Sequence, residues 1–180
     1  MRSGHQPLRP ARSQEEHAVL PNNASIGPPN QKAVYTPPSG YCRFGLEVLD
    51  KPEYGGNAWL EPFSVSNPNL WWRAFHGVKN VQRRGVETLT ATERIVRDGF
   101  LPSRTGRHGP GVYCSPDTRV VQPHYAARQT LQTIRGAKTF EWMFQLAVKP
   151  DPATQTGTPN IWRVRDPRDI RAYGLLMREV

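Results

Sequence analysis

From Thr139 to Val148 the chain alternates without a break. Phe140, Trp142, Phe144, Leu146 and Val148 take one parity, and Thr139, Glu141, Met143, Gln145 and Ala147 take the other. Every second side chain of a strand shares a face, so this run predicts a long strand, and Pro150 ends it. Shorter runs read the same way. Phe44, Leu46 and Val48 alternate over 43–49, and Trp71-Trp72-Arg73-Ala74-Phe75-His76 is apolar on both faces, as expected of an inner strand. Strands are also expected over 111–115, 161–165 and 170–178. Between them lie helix signals. Thr90 and Glu93 fit a capping box, Ile95 and Val96 are expected to face inward, and Gly99 stands where a left-handed cap belongs. Ser115-Pro116 reads as a cap and first turn, and Pro123 as the start of a helix carrying Tyr125, Leu131 and Ile134 to a stop at Gly136. Several strands with a few short helices make an α+β domain.

The 180 residues amount to one domain. Residues 1–38 hold 7 of the 18 prolines, with no strand or helix period. Such a segment buries too little apolar area to offset its ordering entropy, so 1–38 are expected to form a disordered or loosely packed tail and 39–180 the folded domain. The tail lacks an apolar signal-peptide core, and no run is long enough to span a membrane, which predicts an intracellular protein, cytoplasmic or nuclear. Two cysteines far apart in sequence, Cys42 and Cys114, make neither a redox nor a zinc motif. The net charge is +9, of which the tail carries +2. That balance favours anionic partners such as dinucleotide phosphates, nucleic acid or an acidic protein surface.

Residues able to do chemistry concentrate between Trp71 and Ala126. His76-Gly77 ends the aromatic strand. A basic, glycine-containing loop, Ser103-Arg104-Thr105-Gly106-Arg107-His108-Gly109, leads into Gly111-Val112-Tyr113, and Tyr125 follows twelve residues after Tyr113. One imidazole, two phenols and bare glycine backbone suit a flat, uncharged aromatic ring bearing a sugar. They do not suit a metal, because neither His nor Cys recurs at ligand spacing. Taken singly, a His at a strand end and two tyrosines are ordinary hydrogen-bonded or core residues; their joint order is what carries information.

That order, over roughly residues 39–180, resembles the catalytic domain of the poly(ADP-ribose) polymerase-like, diphtheria-toxin-type ADP-ribosyltransferases. The resemblance implies two packed, mostly antiparallel sheets with a few short helices, and NAD as co-substrate. It gives Gly77 the nicotinamide carboxamide, His76 a ribose hydroxyl, Tyr125 the stack on nicotinamide and Tyr113 the opposite wall. Arg104 or Arg107 would meet the pyrophosphate, with Gly111 allowing close backbone approach. The pattern departs in two places. Val78 stands where a hydroxyl residue commonly follows the His-Gly pair, and Gln122 stands three residues before Tyr125, where a Ser commonly bonds the carboxamide.

The fourth position of the pattern, a Glu in chain-extending members, falls on Ile161. An apolar residue activates no hydroxyl, so the resemblance implies transfer of a single ADP-ribose by a His-Tyr-hydrophobic enzyme, with His76, Tyr125 and Ile161 as its three signature positions. The acceptor, protein or nucleic acid, is left open. Two alternatives stand beside this reading. One is an NAD-dependent RNA 2′-phosphotransferase-like enzyme using Arg83-Arg84 and Arg163, Arg165 and Arg168. The other is an inactive module that binds ADP-ribose or nucleic acid, which Val78 and Gln122 favour.

Overall fold

The computed structural model describes residues 24–28, 30–36, 38–61, 67–78 and 91–180. Nine strands and two α-helices of these residues form an α+β fold of mostly antiparallel sheet. In chain order the strands are β1 (Ala24–Ile26), β2 (Ala33–Tyr35), β3 (Cys42–Gly45), β4 (Trp72–Gly77), β5 (Val112–Cys114), β6 (Ala127–Thr133), β7 (Gly136–Val148), β8 (Trp162–Val164) and β9 (Ile170–Glu179). The helices are α1 (Ala91–Asp98) and α2 (Thr118–Val121).

The alternating run is the centre of the molecule. As β7 it pairs along one edge with β9, and on the other edge first with β6 and then with β4. β3 adds to the far side of β9, completing a five-stranded sheet, and β5 pairs with β8 in a separate two-stranded sheet. The two faces of β7 have different covers. Trp142, Phe144, Leu146 and Val148 pack under β5 and β8, against Val112, Cys114, Trp162 and Val164. Met143 lies on the other face with Phe75, Leu70 and Leu176, beneath Ile26 and Tyr35. Each such side chain removed from water is worth roughly 1.5–3 kcal/mol, so both covers are part of what keeps this sheet folded.

The second cover corrects the domain boundary. Ile26 and Tyr35, expected in a loose tail, are each 1% exposed, in a β1–β2 pair. Tyr35 stacks on Phe75 at 5.4 Å, and its hydroxyl accepts a hydrogen bond from Gln145 Nε2 at 3.1 Å. The folded unit therefore begins no later than Ala24; residues 1–23 lie outside the described set. The segment carries only five apolar residues over 24–36, too few for a periodic signal, and gains its stability by covering someone else's strand.

A second expectation fails between Pro123 and Gly136. The predicted helix is a turn followed by β6, which pairs with β7 from Ala127↔Trp142 to Thr133↔Gly136. Gly136 has φ 97°, which a tight reversal requires and a helix does not. Thr130 and Thr139 face each other across the hairpin with hydroxyls 2.9 Å apart. Leu131 lies on β6 and Ile134 in the hairpin turn instead of on a helix, and both are exposed.

The remaining differences are local. The cap of α2 is Asp117, whose carboxylate accepts from the Arg119 amide, rather than Ser115. In α1, Ile95 packs on the core while Val96 is 51% exposed. Gly99 closes α1 in the left-handed region as expected, its amide donating to Ile95 O. Thr90 of the expected capping box lies outside the described residues, as do Arg83 and Arg84. No helix among the described residues is long and apolar enough to cross a membrane.

Candidate functional site

β4 carries His76 and Gly77 to the place where three segments meet. On one edge they pair with Phe144 and Met143 of β7. On the other, Phe75 exchanges both backbone hydrogen bonds with Ser115, at 2.7 and 3.0 Å, which draws β5 alongside. Tyr113 therefore arrives next to His76, and His76 Nδ1 lies 2.7 Å from the Tyr113 carbonyl. A carbonyl only accepts, so Nδ1 carries the proton and Nε2 of the neutral ring keeps its lone pair. Burial holds the imidazole below its ordinary range, only partly opposed by that hydrogen bond. The ring stands edge-on to Phe100 at 5.2 Å.

Tyr125 reaches the same point by a different route. After α2 the chain turns through 122–125, with the Tyr125 and Ala126 amides both donating to Val121 O. This turn lays the Tyr125 backbone against Gly77 so closely that a Cβ on Gly77 would collide with the Tyr125 carbonyl. Only glycine fits there. The Tyr125 side chain is 49% exposed, with the His124 ring edge-on at 6.1 Å.

The basic loop is folded down rather than open. Ser103 and Gly111 exchange backbone bonds at its base. Tyr113 Oη donates to Gly109 O at 2.6 Å and accepts from the His108 amide at 3.0 Å. A Cβ on Gly106 would strike the Tyr113 hydroxyl. Arg163, the cross-strand partner of Tyr113, donates from Nη1 to His108 O, and Thr158 Oγ1 lies 3.1 Å from His108 Nε2. The Arg163 side chain and Val164 O also leave no space for a Cβ on Gly111. Arg104 and Arg107 are exposed on this loop.

The structure thus brings together His76, Gly77, Tyr113 and Tyr125, with Gly111, Arg104 and Arg107 on the adjoining loop. Ile161 stands apart from them. It precedes β8, which lies beyond β5 from His76. Val78 is buried in the core. Gln122 is engaged elsewhere: with its amide oxygen turned toward Arg178, it accepts from both terminal nitrogens of that guanidinium. Arg178 in turn belongs to a ladder crossing three strands. Glu141 of β7 pairs in register with Arg128 of β6 and Arg178 of β9. Its carboxylate accepts from Arg128 Nε at 2.8 Å, Arg178 Nε at 3.0 Å and the Tyr41 hydroxyl at 2.6 Å. Burial pushes the Glu141 carboxyl up, but Tyr41 and the two arginines outweigh it and the net shift is downward.

Sequence reasoning missed the clamp roles of His108, Arg163 and Thr158 and the Phe100 wall. Their partners are set by pairing between distant strands, which no local pattern encodes. Among the described residues no group of three or more His, Cys, Asp or Glu is placed to hold a metal ion. Both cysteines are free, Cys42 exposed and Cys114 buried. Compared with known families and curated proteins, the chain matches no family model and no curated sequence.

Proposed function

We propose that the chain is an ADP-ribosyltransferase of the His-Tyr-hydrophobic type, folded as the catalytic domains it resembles, that uses NAD and transfers a single ADP-ribose. The observation that carries this reading is the junction of His76, Gly77 and Tyr125. A neutral imidazole with a fixed tautomer stands one residue from a glycine that admits no Cβ, and the turn bearing a half-exposed phenol closes over that glycine. Those parts match what a nicotinamide riboside asks of a protein: an acceptor for a ribose hydroxyl at His76 Nε2, bare backbone for the carboxamide at Gly77, and a ring to stack at Tyr125. Tyr113 then forms the opposite wall and Arg104 or Arg107 faces the phosphates. The pattern's fourth position falls on Ile161, which stands apart from the junction and brings no carboxylate to prepare a ribose hydroxyl for chain extension. A carboxylate or phosphate acceptor that brings its own nucleophile remains usable.

The phosphotransferase alternative draws less support. Of its three C-terminal arginines, Arg163 is tied to the basic loop and Arg168 pairs with Asp166 at 2.6 Å, which leaves Arg165 as the exposed one without such a tie among the described residues.

The test is a melting curve with 3-aminobenzamide, a nicotinamide mimic. Binding to the native state alone raises the melting temperature by mass action. The shift should disappear in Tyr125→Ala, whose side chain is half-exposed and contributes little to the core. No shift at millimolar ligand would exclude the nicotinamide site.

A further inference from the structure

A cleft of about 1090 Å³ opens on the far side of Phe100, bounded by the chain after β3, by Tyr54, by α1 and by the start of β9. Of the residues assembled at the candidate site it touches only Phe100. Its aliphatic wall includes Leu46, Ile95 and Ile170. Its charges are of two kinds. Arg97 and Asp98 pair with each other at 2.6 Å, and Arg168 is taken by Asp166. Glu47 and Glu53 are exposed, whereas Lys51 and Arg171 are half-buried.

Arg171 is the unusual member. Its guanidinium carbon lies 4.3 Å from the Tyr54 ring centre, 4.3 Å from that of Trp71 and 4.8 Å from that of Trp59. Three rings hold the group in place and strip its water. They offer faces, not acceptors. Among the described residues this guanidinium makes one hydrogen bond, Nη1 to Tyr54 O, and it is long at 3.4 Å. No carboxylate among the described residues forms an ion pair with it, and the nearby Asp169 is engaged with Lys149 at 3.3 Å. Burial draws its proton affinity below that of an ordinary arginine. A desolvated, pre-oriented cation with donors to spare is a state that an anion relieves. Lys51 shares the Tyr54 ring, its Nζ 5.8 Å from the centre, and places a second cation nearby.

We propose that this cleft binds an organic anion: Arg171, assisted by Lys51, takes a carboxylate or phosphate head, and the wall at Leu46 and Val48, on the side of the sheet where the three rings hold Arg171, takes an apolar body. The volume fits a small molecule or a single side chain with its neighbours. Opposite charges at Glu47 and Glu53 lie on the exposed part of the cleft, where solvent screens them more than it screens Arg171. The site does not depend on the NAD reading.

The experiment is calorimetric titration of the full chain with phenyl phosphate and phenylacetate. Phenol, inorganic phosphate and benzylamine serve as comparisons that lack the charge, lack the body or reverse the charge. Phenyl phosphate or phenylacetate should bind at least about ten-fold more tightly than phenol or inorganic phosphate, since both head and body contribute. Benzylamine should not bind. Arg171→Met, which keeps an apolar chain among the three rings, should weaken binding about ten-fold or more, and Lys51→Met about three-fold. Tyr125→Ala should leave it unchanged, which separates this site from the nicotinamide one. If Arg171→Met does not fold, the Lys51→Met loss and a fall in phenyl phosphate affinity with added salt carry the test. Equal affinity for phenol and phenyl phosphate, no effect of either substitution in folded protein, or no binding of either aryl anion at about ten millimolar would overturn the proposal.

Discussion

Replacing Glu141 by Gln removes one negative charge from the interior at no cost in shape. The carboxylate is fully buried and takes three short hydrogen bonds, from Tyr41, Arg128 and Arg178. Gln keeps one acceptor oxygen but turns a donor toward a guanidinium. Breaking a fully buried ion pair by removing one partner costs about 3–5 kcal/mol, because the other charge is stranded. Here the partners are not stranded. The Arg128 side chain is 60% exposed and that of Arg178 is 26% exposed, so both can be rehydrated. That lowers the expected loss to about 2–3 kcal/mol, or a fall in melting temperature of roughly 4–12 °C for a chain of this size. The exposures also set an order. Arg128→Ala should cost less than about 1 kcal/mol, whereas Arg178→Ala should cost more, since Arg178 is better covered and also holds Gln122. The Glu141→Gln, Arg178→Ala double variant should lose less than the sum of the singles. Urea unfolding followed by circular dichroism reads all four. A Glu141→Gln loss below about 0.5 kcal/mol, or Arg128→Ala costing more than Arg178→Ala, would show that the ladder does not hold the strands.

A chain starting at Ser39 should be destabilised by about 3–6 kcal/mol, because it loses the buried Ile26 and Tyr35 side chains; an unchanged urea midpoint would return these residues to the status of a loose tail. Stability should fall with acid in two stages. The unfolded chain protonates its His near 6.5 while the folded His76 resists, so that contribution is full above 6.5 and lost below it, with a slope of at most about 1.4 kcal/mol per pH unit. The Glu141 contribution, present above the ordinary value of 4.5, is lost at still lower pH. A pH titration of the unfolding free energy from 8 down to about 3 that rises toward acid throughout would contradict both signs. Gly77→Ala should abolish the 3-aminobenzamide shift and cost about 1–3 kcal/mol, since its Cβ meets the Tyr125 carbonyl and the turn must move; full binding by this variant would mean that the turn does not close on Gly77.

Much of this architecture is written locally. The alternation of Phe140 to Val148, the closing strands before and after Pro167, and the Gly99 cap are each set by neighbours in sequence, and each appears where expected. So are the strand ending in His76-Gly77 and the delivery of Tyr113 on β5. The failures share a cause. Ala127–Thr133 has apolar residues too sparse to choose between helix and strand, and its pairing with the exposed edge of β7 decides the matter. Ala24–Tyr35 has no pattern of its own and folds because Phe75 and Gln145 need a cover. The same holds for the site. His76 and Tyr125 were legible as residue types in order, but the Tyr113 carbonyl that fixes the imidazole and the Arg163 clamp on the loop depend on strand pairing. Gln122 occupies a ligand-contact position of the pattern in sequence, but its partner in the fold is Arg178, far along the chain.

If the His76–Gly77–Tyr125 junction transfers one ADP-ribose from NAD, as proposed, intact-mass spectrometry of reaction mixtures will read the product itself. The full chain, incubated with NAD and with protein, RNA and DNA acceptors, should release nicotinamide and add discrete single ADP-ribose masses, on itself or on an acceptor. Tyr125→Ala should do neither. Ladders of many units would show that another acid takes the part denied to Ile161. No nicotinamide release with any acceptor, from protein that binds 3-aminobenzamide, would contradict transfer and leave a binding module in its place.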